Sequence, residues 1–208
     1  MTRSNASCGC DAPSHAFQPT RRILLLSSLA LLLCSCTLIQ RPEPVTTLQL
    51  QLVDADLAWP AALLPGKVES VSALRSNRVL VVDGAVLMQH DGLRWVDTPA
   101  VMLSEQLRAL HARAGSADAA KAALDVWLGE FDLRVGADGH QEAVATAHAT
   151  LRCIGSDRSI TIAPVSSSTA PASSDPQALA DAFAGASRDL VSALLKQSSE
   201  RAPDCDAR

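Results

Sequence analysis

The reactive side chains of this 208-residue chain are few and unevenly placed. Its six cysteines are Cys8, Cys10, Cys34, Cys36, Cys153 and Cys205. Cys34 and Cys36 close an apolar run, Ile23 to Leu33, that follows the basic pair Arg21-Arg22. A positive flank, a short apolar stretch and small residues at its exit mark a cleavable export signal. The run is about half of the roughly 20 residues that span a bilayer, which argues against an uncleaved anchor. Cys153 and Cys205 then stand in an oxidising compartment. Either they form a disulfide tying the C-terminal tail to a strand end, or they are separate thiols with Cys153 packed as a small hydrophobe. Both readings stay open here, because spacing alone does not bring two Cα atoms within bonding range.

The other reactive groups do not assemble into catalytic machinery. There is no Gly-x-Ser-x-Gly nucleophile elbow and no phosphate-binding loop. His90, His111, His140 and His148 are scattered, with no i, i+4 pair, and read as surface or strand-edge histidines. Asp132 to Glu142 lacks ligands at the alternate positions of a calcium loop and suits a hairpin turn better. The expectation is a non-enzymatic protein with no metal and no dissociable cofactor.

Leu33-Cys34-Ser35-Cys36 resembles the lipobox of bacterial lipoproteins. The resemblance implies that residues 1–35 are removed, and that Cys36 is acylated and becomes the first mature residue. The covalent lipid would hold the chain on a membrane. Thr37 stands where an Asp retains enterobacterial lipoproteins at the inner membrane. It therefore implies the periplasmic face of the outer membrane.

Composition sets the remaining bounds. The leader takes away Arg3, Arg21, Arg22 and Asp11, leaving 15 basic and 21 acidic residues and a net charge of -6. With no basic block, nothing points to nucleic acid or to an electrostatic membrane patch. The 173 residues left are enough for one domain with its own core.

Several elements must position these residues. Residues 36–45, with Pro42 and Pro44, read as a tether, 46–198 as the domain and 199–208 as a C-terminal tail. Thr46 to Val53 alternates as a half-buried strand. Trp59-Pro60 and Leu64-Pro65-Gly66 read as breaks, and Val68 to Leu74 as a second strand. Asp83-Gly84 and Asp91-Gly92 predict two turns, with strands at 79–82, 85–90 and 93–96. Thr98-Pro99 opens a helix, Thr98 accepting from a free N–H, with Leu103, Leu107 and Leu110 on one face and Gly115 as its stop. Two long strands follow, 122–135 with Gly129 as a bulge, and one in which Ala143, Ala145, Ala147, Ala149 and Leu151 form a small-residue face for a helix. A strand at 159–165, a loop at 166–174 and a helix opened by Asp175-Pro176 complete the chain. The fold class is α/β (α+β): a mixed, mostly antiparallel sheet covered by two main helices.

Arg94-Trp95-Val96-Asp97-Thr98-Pro99, followed by Met102-Leu103 and Leu107, resembles the PqiC-type auxiliary lipoproteins of ABC-type transport systems. Their pattern is Arg-Trp-Ala-[Asp/Glu]-x-Pro running into an amphipathic helix, and the order of elements agrees over nearly the whole mature chain. The chain departs from the pattern in lacking Tyr, in having Val96 for the usual Ala, and in a shortened 55–75 segment. The resemblance implies a fold like the amino-terminal domain of TolB. It also implies a role in lipid movement between membranes, beside a permease, an ATPase and an MCE-domain channel protein. The alternative is a pilot or assembly lipoprotein for another outer-membrane machine. Arg94, Trp95 and Pro99 are either structural, with Trp95 in the core and Arg94 paired to an acid such as Asp97, or part of a docking surface for the partner.

Overall fold

The computed structural model describes residues 44–52, 57–115 and 120–206. They belong to one compact unit, Glu43–Arg208. The expected export signal, Cys36 and the expected tether up to residue 43 lie outside the described residues. Seven strands and two long helices run in the order β1 (Thr46–Leu48), β2 (Leu63–Ser70), β3 (Arg78–Asp83), β4 (Val86–Trp95), α1 (Pro99–Ala114), β5 (Ala122–Val135), β6 (Gln141–Cys153), β7 (Ser159–Thr169) and α2 (Pro176–Arg201).

The antiparallel ribbon of β5 and β6 is the spine, and β7 extends it antiparallel on one side. On the other side two strands share one edge of β5. There β2 lies parallel to Ala122–Leu128 and β3 parallel to Asp132–Val135. The hairpin partner of β3 is β4, and β1 adds a short parallel rung, Thr46 to Leu48, against Leu93 to Trp95. The sheet is therefore mixed, with the longest ladders antiparallel. Gly129 sits where the β5–β6 register slips between Leu128 and Glu130, which is the bulge expected there.

Both helices bury an apolar stripe on one face of this sheet. In α1, Met102, Leu103, Leu107 and Leu110 are buried, and Gly115 ends the helix with a φ of 91°. In α2, Asp175 accepts from the Ala178 N–H, and Leu179, Phe183, Ala186, Leu190 and Leu194 are buried. The alanines of β6 leave room for α2 to approach closely, and all are buried. Gly185 shows the same closeness, since a Cβ there would sit 3.1 Å from Thr169 Oγ1.

Six local expectations are corrected. The first strand stops at Leu48, and only its start pairs with β4. Leu64-Pro65-Gly66 does not break the chain: β2 runs through it with a register shift between Pro65 and Val68. A bulge tolerates a proline, and a Cβ on Gly66 would meet Asp125 Oδ1 at 2.1 Å and the Leu124 carbonyl at 2.7 Å. The strand expected at Val68 to Leu74 is the end of β2 followed by a 3-10 turn, Ser72–Leu74. Asp91-Gly92 is no turn, because β4 passes through it and absorbs the extra residues opposite Arg78–Leu80. Residues 166–169 are strand, since Ser166 to Thr169 pair with Thr146 to Ala143. At the C-terminus, α2 continues to Arg201 and a 3-10 turn spans Ala202–Asp206, so the first residues of the expected tail are helical.

Candidate functional site

The Arg94-Trp95-Pro99 segment lies where β1, β3, β4 and α1 meet. Trp95 is 1% exposed, with its ring 4.9 Å from Phe183 and 5.3 Å from Phe131. Its indole therefore plugs the core and offers no surface to a partner. The backbone around it holds the entry strand in place: Trp95 N–H donates to the Asn77 carbonyl and Val96 N–H to that of Leu48. Arg94 is not paired with Asp97. Its guanidinium donates to the carbonyls of His90 and Leu93, clasping the bulged part of β4. Asp97 instead accepts from Thr98 N–H at 2.6 Å. Thr98 makes no side-chain cap bond, and Pro99 takes the first helical position, where a missing N–H costs nothing.

Cys153, at the end of β6, and Cys205, in the last 3-10 turn, are joined by a disulfide, with Cα atoms 5.4 Å apart. The bond ties the end of α2 to the sheet, and Lys121 pairs with Asp206 beside it. This lies at the opposite end of the β5–β6 ribbon from the Gly136–Gly139 turn.

The face of the sheet away from the helices carries the polar side chains. Asp125, Trp127, His148, Thr150, Lys67 and Glu69 line a shallow cavity of about 310 Å³ there. Trp127 and His148 stack with centroids 6.4 Å apart. Asp125 accepts from Lys67 N–H at 2.8 Å and pairs with Arg152 at 3.2 Å. Burial pushes the Asp125 carboxyl up, but Arg152 and the Lys67 N–H outweigh it and hold it below the usual carboxylate range. A carboxylate held so firmly is a poor proton acceptor. Farther along, Arg134 pairs with Glu130 at 2.8 Å, and Thr146 donates to Glu130 and bonds Ser166. Asp132 sits only 3.5 Å from Arg134 Nε, yet its Oδ1 makes no hydrogen bond. Burial, with Glu130 adding to it, raises its carboxyl above the usual range despite Arg134.

The histidines do not converge. His111 packs edge-on against Trp59, His148 against Trp127, His90 accepts from Gly92 N–H, and His140 is exposed near Asp138. Among the described residues, no group of three His, Cys, Asp or Glu could hold a metal ion. Two surfaces escaped the sequence reading. One is the Trp127–His148 stack, which depends on cross-strand register. The other is the β3–β4 hairpin, where Val86, Leu87 and Met88 are exposed. The run Val79 to Met88, apolar in nearly every position, was its visible sign.

The chain matches no protein-family model and no curated protein. Among solved structures, a Xanthomonas campestris protein of the DUF330 family is similar. Its TM-score is 0.64, over 78% of this chain and 98% of that one, at 17% identity. An uncharacterized protein is also similar, with a TM-score of 0.54 over 74% of this chain and 99% of that one, at 15% identity. At such identities the likeness is one of fold: a single mixed α/β domain of the DUF330 kind.

Proposed function

We propose that the chain is a lipoprotein held on the periplasmic face of the outer membrane by acyl chains on Cys36. Its domain serves, without catalysis of its own, as the auxiliary component of an ABC-type lipid transport system. There it docks or stabilises an MCE-domain channel protein that works with a permease and an ATPase. The observation that carries the reading is the Leu33-Cys34-Ser35-Cys36 exit of an apolar run, ten residues before the first strand begins at Thr46. The nine intervening residues reach at most about 30 Å when extended, so the partner must be engaged close to the membrane. No helix among the described residues is long and apolar enough to cross a membrane.

The test is affinity purification of the full-length protein from solubilised membranes, with identification of what accompanies it. An MCE-domain protein with its permease and ATPase is the expected result. Recovery of a secretin or another outer-membrane machine in their place contradicts the assignment.

A further inference from the structure

The β3–β4 hairpin is an unusual surface feature. Between Val79 and Gln89 the only charge is Asp83. Val86, Leu87 and Met88 are 56%, 53% and 45% exposed. Successive strand residues point to opposite faces, so Val86 and Met88 project from one side of the hairpin and Leu87 from the other. A protein docked on one side would leave the other side wet. An apolar medium surrounding the tip covers both.

The direction of the chain says which medium lies there. Because β1 runs parallel to β4, with Thr46 opposite Leu93, the backbone preceding Thr46 leaves toward the Val86 end of β4. Val45, the last residue before β1, is itself 48% exposed. The last described residues before β1 thus head toward the hairpin-tip end of the sheet. The disulfide of Cys153 and Cys205 marks the other end.

We infer that the tip of the β3–β4 hairpin, Val86, Leu87 and Met88, rests in the lipid bilayer surface and orients the domain on its membrane. This rests on the reading that Cys36 is acylated. Three side chains are too few to hold a domain of this size on a bilayer alone. Beside an anchor that already concentrates the domain at the surface, they need only choose which end faces it. The depth is limited by two features. Asp83 lies at the turn, and the outer edge of Val86–Asp91 carries no paired strand among the described residues. Unpaired backbone groups and a carboxylate are costly in hydrocarbon, so the tip stays in the headgroup region, where water and polar groups satisfy them. With Asp83 as its one charge, the contact does not depend on anionic lipid.

The test places an environment-sensitive fluorophore on the full chain at Leu87→Cys, and at Lys196→Cys on the exposed side of α2 as a reference. The protein is reconstituted on vesicles of phosphatidylethanolamine and phosphatidylglycerol. The inference expects a blue shift at position 87, quenching by brominated lipid and loss of quenching by aqueous iodide, with none of these at position 196. If position 87 stays as open to iodide as position 196 while the protein is vesicle-bound, the contact is refuted and the anchor stands. If position 87 is already shielded before vesicles are added, a protein such as a second copy covers the hairpin, and the inference is overturned. If mass measurement finds no acyl group on Cys36, the anchored reading fails. The contact, which rests on that anchor, is then overturned with it.

Discussion

Trp95 meets Phe183 edge-on, with ring centroids 4.9 Å apart at an interplanar angle of 89°. The pair joins β4 to α2 across the core, and Phe131 of β5 completes a three-ring cluster. Trp95→Ala should lower the unfolding free energy by about 3–5 kcal/mol, as large aromatic truncations in cores do. Trp95→Phe should cost less, because the smaller ring keeps part of the packing. Denaturant unfolding of the mature domain reads both. A loss below about 1 kcal/mol for the alanine variant would place Trp95 outside the core's energetic centre.

Asp125 and Asp132 lie on the same strand and should respond oppositely to pH. The folded state lowers the Asp125 carboxyl below its unfolded value. Its contribution is therefore present above the unfolded pKa and lost as pH falls through the folded one. Asp125→Asn should cost about 0.5–1 kcal/mol at neutral pH, with the difference fading in acid. The folded state raises the Asp132 carboxyl, so its contribution is present below the unfolded pKa and lost as pH rises through the folded one. Asp132→Asn should therefore stabilise the domain at neutral pH, with the gain vanishing in acid. Thermal melts of the two variants between about pH 3 and 7 should give difference curves of opposite sign; curves of the same sign contradict the assigned environments.

The disulfide closes a loop with a sequence separation of 52. Replacing Cys153 and Cys205 together by Ser should lower stability by about 2–4 kcal/mol, and reduction of the native protein should do the same. Unfolding with and without reductant measures it. Equal midpoints would show that the bond contributes nothing to the folded state.

Much of this architecture was legible because periodicity and punctuation agree. The leucine stripe of α1, the alanine face of β6, the bulge at Gly129 and the Asp175-Pro176 helix start each depend on local chemistry, and each stands where it was expected. The misreadings share a different cause. Pro65-Gly66 and Asp91-Gly92 carry turn signals, yet both are bulges inside strands held straight by neighbours distant in sequence. Pro164, by contrast, was expected inside a strand and does sit in β7, an edge strand whose register slips between Val165 and Ile162. Arg94 illustrates the same limit at the candidate site. Its charge suggested an acid, but the bulge beside it presents carbonyls that lie closer. Whether two cysteines 52 positions apart would meet depended on the length of α2, which no motif announces.

Acylation of Cys36 is read most directly from the mass of the N-terminal peptide of the mature protein isolated from membranes. The expected peptide begins at Cys36 and carries fatty acyl mass, from a protein that partitions into detergent. Cys36→Ala should remove both properties. An ordinary free amino terminus, on a protein released by osmotic shock alone, would contradict that acylation.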